Sequence, residues 1–130
     1  MDPVAGFYAA YDRHDAALLR QVLAPDYKGQ VNGRPVASPA EAEQFVAGFL
    51  AAFPDCRYTV HERIDERAHH RVVVRWSFSA THKGPFAGVA PTGRAATAEG
   101  LTLFHLQGDR IARLWSWWDA AGLAARLGAP

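Results

Sequence analysis

Two side chains in the second half of the chain could exchange protons with a ligand. Asp119 follows three tryptophans in the segment LWSWWD, and His82 lies near the start of the glycine- and proline-rich segment THKGPFAGVAPTGR. A carboxyl group among apolar rings has its pKa raised toward neutrality, and a histidine titrates near neutrality without help, so both could act as general acids or bases. Simpler roles stay open, because Asp119 could cap a terminal helix and His82 could anchor its loop.

Side-chain alternation along the expected strands decides which residues would share a pocket with these two. The strand before His82 places on its inner face Val72, Val74, Trp76, Phe78, Ala80 and His82. In the two strands that follow, the expected inner sets are Thr97, Glu99, Leu101, Leu103 and His105, and then Ile111, Arg113, Trp115, Trp117 and Asp119.

With this alternation of side chains, Glu99 and His105 are polar groups inside the pocket. Trp115 and Trp117 form an apolar wall for a flat ligand, while Trp118 faces away. The alternatives stay open: the rings only fill the core, Glu99 pairs with an arginine at the rim, and His105 is a satisfied core histidine.

Two helices are expected at the start of the chain. Asp2 and Pro3 begin the first, which covers roughly residues 3–13 with an apolar, aromatic face. Asp15 caps a shorter second helix, and Pro25 ends it. The segment DYKGQVNG then indicates a short strand and a turn.

The clearest helix start is SPAE. Ser38 is the N-cap, Pro39 the first helical residue, and Glu41 is placed to complete a capping box, while Pro54 marks the end of the helix. Its apolar stripe is wide enough to cover a sheet and consists of Ala42, Phe45, Val46, Phe49, Leu50 and Phe53.

After this helix the apolar pattern changes to period two. Strand-like runs cover residues 57–64, 70–81, 94–106 and 110–118, and QGDR makes a tight turn between the last two. Helices followed by antiparallel strands indicate an α+β domain in which the helices cover one face of a curved sheet. A chain of 130 residues is long enough for one core, so a single domain over 1–130 is expected.

Composition and spacing argue against several classes of protein. The formal net charge is +1, and no basic block is present to attract nucleic acid. No apolar run reaches the roughly 20 residues of a membrane span, and the N-terminus has neither a basic leader nor a signal-peptide core, so a cytoplasmic protein is expected. Cys56 cannot form an internal disulfide, and no metal or phosphate-loop spacing occurs, so we expect no metal and no other cofactor.

Several motifs follow the pattern of a known family. They are FPD at 53–55, VVVRWSFSATHKGPFAGVAPTGR and the closing WSWWDAAGLAARLG, preceded by the helical opening YAAYDRHDAALLRQVLAPDY. In these the chain resembles the SnoaL-like polyketide cyclase family of the nuclear-transport-factor-2-like superfamily. The resemblance implies a cone-shaped α+β barrel whose curved antiparallel sheet wraps a pocket closed by the N-terminal helices. It also implies a homodimer through the outer sheet face, and cofactor-free ring closure of aromatic polyketides by intramolecular aldol condensation.

The resemblance also implies roles for individual residues. Asp119 matches the family's general acid/base, and His82 matches the histidine of its THxGxFxGxxPTG loop, whose Phe86 and Pro91 would shape the pocket rim. A small aromatic or polyketide-like ligand would contact Trp115, Trp117, Trp76, Glu99, His105, Tyr8, Tyr11, Phe49, Phe53 and Phe86.

Departures from the family pattern leave three classes of function open. Arg113 stands where an acidic residue is usual and, if it points inward, could lower the pKa of a neighbouring carboxyl; Arg126 stands where a glutamine is usual. The first class is the cyclase. The second is another acid/base enzyme in the same cone, such as an isomerase, a dehydratase or an epoxide hydrolase with Glu99, His105 and Arg113 around a water. The third is a non-catalytic small-molecule-binding domain, because a fold does not fix a chemistry.

Overall fold

The computed structural model describes residues 2–128. Its helices are α1 (Pro3–Asp12), a 3-10 turn (Ala16–Leu18) that leads into α2 (Leu19–Val22), α3 (Pro39–Ala52) and α4 (Ala120–Arg126). Its strands are β1 (Leu23–Val31), β2 (Arg34–Val36), β3 (Arg57–Glu66), β4 (Arg71–Thr81), β5 (Ala95–Gln107) and β6 (Arg110–Trp118). None of the helices in this range has the length and apolar character needed to cross a membrane. The α+β prediction is confirmed.

The six strands form one mixed sheet in the order β2-β1-β6-β5-β4-β3. Neighbouring strands pair antiparallel with one exception, because β1 runs parallel to β6. The antiparallel pairing expected for the sheet therefore holds at every junction except this one, and the sheet is mixed. A parallel pair needs a long crossover, and the chain between β1 and β6 supplies it through α3 and the three strands that follow.

The helix starts follow from capping side chains, as predicted. The Asp2 carboxylate accepts hydrogen bonds from the first turn of α1, at 3.0 Å from the Val4 backbone nitrogen. The Ser38 hydroxyl accepts from the backbone nitrogen of Glu41 at 3.1 Å, and the Glu41 carboxylate accepts in return from that of Ala37 at 3.0 Å. These contacts satisfy N–H groups that have no partner within the helix and so define where α1 and α3 begin.

The predicted end of the second helix at Pro25 is wrong. The helix ends at Val22, and Pro25 lies inside β1. A proline fits there because the ladder between β1 and β6 is interrupted from Leu23 to Lys28, so no ladder hydrogen bond needs the missing N–H.

A β-bulge in β6 determines to which face of the sheet the later side chains of this strand point. His105 pairs with Arg113 and Leu106 with Ile111, so Ala112 is an extra residue without a partner on β5. An extra residue exchanges the two faces of a strand. Ile111 points into the core before the bulge, but from Arg113 onward the odd-numbered residues of β6 point outward.

The core lies between the inner face of the sheet and helices α1 and α3. Residues opposite one another in antiparallel strands share a face, so the inward Trp76 and Phe78 of β4 place Gly100 and Ala98 of β5 on the inner face. Small residues are required there, since a Cβ atom on Gly100 would lie 2.6 Å from the Trp76 ring. The largest fully buried side chains include Phe53, Phe104, Leu19, Ile111, Leu123 and Leu127.

Candidate functional site

A cavity of about 40 Å3 lies inside the curved sheet, which is room for one or two water molecules. From α1 and α3 its wall receives Phe7, Tyr8, Tyr11, Phe45, Val46 and Phe49. From the strands it receives Tyr27, Tyr58, Trp76, Thr102, Ser116 and Trp118, with smaller aliphatic side chains between them. The wall is mainly aromatic, which suits a flat and largely apolar ligand.

Three strands contribute a hydrogen-bonded polar group to this wall. Thr102 and Ser116 are directly opposite each other on β5 and β6, and their hydroxyl oxygens lie 3.0 Å apart. The Trp76 indole N–H donates to the Thr102 hydroxyl at 2.9 Å. Each of these neutral groups thus has at least one hydrogen-bond partner in a place where an unpaired polar group would be costly.

Tyr8 adds a hydroxyl that is not satisfied. Its side chain is buried, and its hydroxyl has no hydrogen-bond partner among residues 2–128. Burial raises the pKa of the Tyr8 phenol above its ordinary value of 10.0, and the nearby Thr102 hydroxyl offsets only part of this rise. Burial likewise raises the pKa values of Tyr11 and Tyr27. The phenols therefore stay protonated at neutral pH, and the one on Tyr8 is available as a donor.

Within residues 2–128, the side chains that line the cavity include neither a carboxylate nor a histidine. The wall can therefore offer hydrogen bonds from neutral hydroxyl groups, apolar contact and shape. It has no side chain that could remove a proton from carbon at neutral pH.

Asp119 lies outside this cavity, which corrects the expectation that it points inward. It is solvent-exposed and caps α4, accepting a hydrogen bond from the backbone nitrogen of Gly122 at 2.8 Å. The physical reason is the bulge at Ala112, which turns the face predicted to be inward toward solvent, together with the end of β6 at Trp118. The capping role that the sequence left open is the one observed.

The bulge at Ala112 also reverses the predicted positions of the tryptophans. Trp118 lines the cavity, where its ring centroid lies 6.4 Å from that of Trp76. Trp117 is 56% exposed on the outer face. Trp115 also faces outward and packs against the His105 ring at 4.7 Å. The predicted ligand wall of Trp115 and Trp117 is therefore wrong.

Glu99, His105 and Arg113 also lie on the outer face, since they pair with outward residues of the neighbouring strands. The partial burial of His105 lowers its pKa, and the positive charges of Arg71 and Arg113 lower it further. Arg113 donates to backbone carbonyl oxygens and not to a carboxylate. The arrangement of these three residues around a water in the pocket, as expected for an epoxide hydrolase, does not form.

His82 is fully buried, as the strand pattern predicts, but it does not line the cavity. Its Nδ1 atom accepts a hydrogen bond from the Thr92 backbone nitrogen at 3.3 Å and lies 2.9 Å from the Thr92 hydroxyl. Its backbone exchanges hydrogen bonds with Gly93 and Arg94. His82 thus holds the two ends of its loop together.

The rest of this loop is fixed to the end of α3. The backbone nitrogens of Lys83 and Gly84 both donate to the carbonyl oxygen of Ala52. Phe86 packs on Phe53 at 5.1 Å between ring centroids. Neither ring lines the cavity, so the expected ligand contacts of Phe53 and Phe86 are replaced by contacts within the core.

Of the predicted ligand contacts, the structure brings four together in the cavity wall: Tyr8, Tyr11, Phe49 and Trp76. Sequence reasoning missed Thr102, Ser116 and Trp118. One signal could have found Thr102 and its neighbours. Small residues must face Trp76 and Phe78, and β5 supplies them at alternate positions: Ala96, Ala98 and Gly100. Thr102 is the next residue on the same face.

The chain is similar to one known protein family over nearly its whole length. A family model described as SnoaL-like polyketide cyclase matches residues 3–127. The solved structure of AclR from Streptomyces galilaeus, provisionally named a hydroxylase, is 28% identical with a TM-score of 0.86, over 98% of this chain and 95% of AclR. IdmH from Streptomyces antibioticus, provisionally named a polyketide cyclase, is 27% identical with a TM-score of 0.82, over 98% and 96%. Among curated proteins, none matches significantly.

Proposed function

Since the chain belongs to the SnoaL-like polyketide cyclase family, we propose that it binds a flat, polyketide-like aromatic compound in its cavity and promotes ring closure there. The observation that supports this most directly is the aromatic wall with hydroxyl groups from Tyr8, Thr102 and Ser116. Such a wall offers a large apolar surface and a small number of placed polar groups, as ligand sites generally do.

Binding requires the cavity to open. Its volume of about 40 Å3 is far below the roughly 300 Å3 or more of typical small-molecule sites. Phe45 of α3 is 39% exposed and also lines the cavity, which marks this part of the wall as the side nearest solvent. We propose that the ligand enters past Phe45.

The proposed reaction is an intramolecular aldol addition without a cofactor. The enol carbon of one part of the substrate attacks a carbonyl carbon of another, a carbon–carbon bond forms, and the enol proton passes to the new alkoxide oxygen. The protein contributes by folding the substrate into a reactive geometry and by donating hydrogen bonds to the oxygen that gains charge. Both contributions can come from a shaped wall with neutral hydrogen-bond donors.

The general acid/base roles expected for Asp119 and His82 stay predictions. Asp119 would have to reach the cavity from an exposed cap, and His82 would have to leave its hydrogen bonds with Thr92. The cavity hydroxyls need no such rearrangement, and we therefore place the chemistry with them.

A second candidate function is ligand binding without turnover. It is favoured by the lack of a carboxylate or histidine among the cavity-lining side chains of residues 2–128. The two candidates share the ligand class and differ only in whether a product forms.

A pair of tryptophan variants tests the proposed site. Trp118→Ala removes a cavity-lining ring and should weaken the binding of a polycyclic aromatic ketone by roughly tenfold or more. Trp117→Ala, its neighbour on the outer face, should leave binding unchanged. Calorimetric titration measures both, and chromatography of a linear poly-ketone incubated with the protein measures ring closure.

Equal losses in the two variants would contradict a ligand site in the cavity. Binding that depends on Trp118 without formation of a cyclic product would favour the binding domain over the cyclase.

A further inference from the structure

Four elements bring a polar group to one part of the cavity wall. Tyr8 comes from α1, Trp76 from β4, Thr102 from β5 and Ser116 from β6. Tyr8 is 6% exposed, Thr102 is 2% exposed and Ser116 is half-buried, so the cluster lies largely away from solvent. Polar groups in such a place normally satisfy one another completely, and here they do not.

The direction of the hydrogen bonds follows from Trp76, because an indole N–H can only donate. It donates to the Thr102 hydroxyl and occupies one of its lone pairs. Thr102 and Ser116 share one further hydrogen bond, in which either hydroxyl can be the donor. Whichever of the two donates, the other keeps its proton free.

The cluster therefore holds two unused protons. One belongs to the Thr102 and Ser116 pair, and the other is that of the Tyr8 hydroxyl, which has no partner within residues 2–128. Two donors without an acceptor, on one part of the cavity wall, specify what a ligand group placed beside them must be. It is an atom that accepts hydrogen bonds.

We infer that this cluster recognises a carbonyl oxygen of the ligand, which accepts hydrogen bonds from Tyr8 and from the Thr102–Ser116 pair. The inference rests on the proposed function, since it assigns the orientation of the polyketide-like compound in that same cavity. A carbonyl oxygen has two lone pairs and brings no proton that would need an acceptor of its own.

Other ligand groups fit the cluster less well. A carboxylate would be buried without a positive partner, because no lysine, arginine or histidine of residues 2–128 lines the cavity. A cation would find no carboxylate among the side chains that line the cavity in the described part of the chain. A plain hydrocarbon would give the Tyr8 hydroxyl no acceptor.

The assignment also selects which carbonyl of a polyketide would react. The oxygen held by the two donors gains negative charge as the new carbon–carbon bond forms at its carbon, so hydrogen bonds to it are stronger in the transition state than in the bound substrate. Tyr8 and the hydroxyl pair are thus expected to orient the electrophilic carbonyl and not the enol carbon.

Two ligands of nearly the same shape test the inference. 9-Fluorenone and fluorene are both flat and tricyclic, and they differ by the presence of the carbonyl oxygen. Wild-type protein should bind the ketone more tightly than the hydrocarbon. Tyr8→Phe should weaken ketone binding about threefold to tenfold, the loss expected for one neutral hydrogen bond, and leave hydrocarbon binding unchanged. Ser116→Ala should weaken ketone binding less, because the Thr102 hydroxyl then has a free proton that can donate in its place. Ser77→Ala removes a hydroxyl on the outer face and is the matched control.

The infrared carbonyl stretch of bound fluorenone gives a readout that altered packing alone would not reproduce. It should lie at lower frequency in wild type than in an apolar solvent, and it should return toward the solvent value in Tyr8→Phe. The Ser77→Ala protein should give the wild-type frequency.

The outcomes separate this inference from the proposed function. If both ligands bind and Tyr8→Phe weakens them equally, or if the carbonyl frequency does not change in Tyr8→Phe, the carbonyl site is overturned and the ligand cavity stands. If neither ligand binds to wild type, the proposed function fails and the inference fails with it.

Discussion

The two faces of β5 and β6 differ in the kind of polar group they carry. The inner face presents the hydroxyls of Thr102 and Ser116 between the rings of Phe104 and Trp118. The outer face presents Glu99, His105 and Arg113 together with Leu101, Leu103, Trp115 and Trp117. Every titratable side chain of these two strands is thus outside the cavity, and the groups inside are neutral hydrogen-bonding ones.

The difference has an energetic cause. An ionised group in a small aromatic cavity loses its hydration and needs a partner of opposite charge, whereas a hydroxyl needs only one or two hydrogen bonds. Thr102 finds these in Trp76 and Ser116. The inner face can therefore be dry and polar at once, and this is what allows it to recognise an uncharged ligand.

Truncation of a large side chain should show the largest contrast between the faces. Phe104 is fully buried on the inner face, whereas Leu101, also on β5, is 50% exposed on the outer face. Phe104→Ala should lower the free energy of unfolding by about 3–5 kcal/mol, and Leu101→Ala by about 0.5 kcal/mol or less. Urea unfolding followed by tryptophan fluorescence measures both.

The same pair of variants bears on the homodimer, which stays a prediction. A second copy packed on the outer sheet face would cover Leu101, and its truncation would then cost much more than 0.5 kcal/mol in a manner that depends on protein concentration. If Phe104→Ala and Leu101→Ala lower the free energy of unfolding equally, and independently of protein concentration, then the two faces of β5 do not differ in burial as described.

The next largest effect is expected at alkaline pH, and it comes from tyrosines on the inner side of the molecule. Burial raises the pKa values of Tyr8, Tyr11 and Tyr27 in the folded state above the value of about 10 that they have in the unfolded chain. The folded state then keeps protons that the unfolded state releases, so the stability from these groups is complete below pH 10 and is lost as the pH rises above it. The expected slope is about 1.4 kcal/mol per pH unit for each tyrosine.

Tyr27→Phe checks this assignment. Relative to wild type, the variant should lose stability less steeply above pH 10, by the contribution of one tyrosine, and show the same pH dependence between pH 6 and 9. Urea unfolding midpoints at a series of pH values measure the slope. An unchanged slope would mean that Tyr27 titrates normally and is accessible to water.

The sequence predicted the elements well because their signals are local. Asp2, Ser38 and Glu41 act on backbone groups within one turn of themselves, and the alternation in β4 continues without interruption from Val72 to His82. Such features depend on a few neighbouring residues. The fold class and the boundaries of the last four strands, β3 to β6, followed from them.

The site was predicted only in part, because its geometry depends on long-range pairing. The face of β5 that is expected to point inward holds Leu101 and Leu103, whereas the opposing Trp76 requires the small Gly100 on the inner face. The bulge at Ala112 contains no glycine or proline from which it could be predicted. One extra residue exchanged Trp118 for Trp117 in the cavity wall and turned Asp119 toward solvent.

Asp119 should give the smallest effect and is the sharpest test of the contrast between neutral inner groups and titratable outer groups. Asparagine caps a helix about as well as aspartate, so Asp119→Asn should keep the hydrogen bond to Gly122 and change the stability little. Asp119→Ala should cost about 1 kcal/mol. Because the carboxylate is exposed and outside the cavity, both variants should bind and convert a polyketide-like ligand as wild type does. A folded Asp119→Asn protein that binds the ligand but has lost ring closure would mean that the end of β6 rearranges around the ligand. Proton transfer would then belong to a residue of the outer face and not to the cavity hydroxyls.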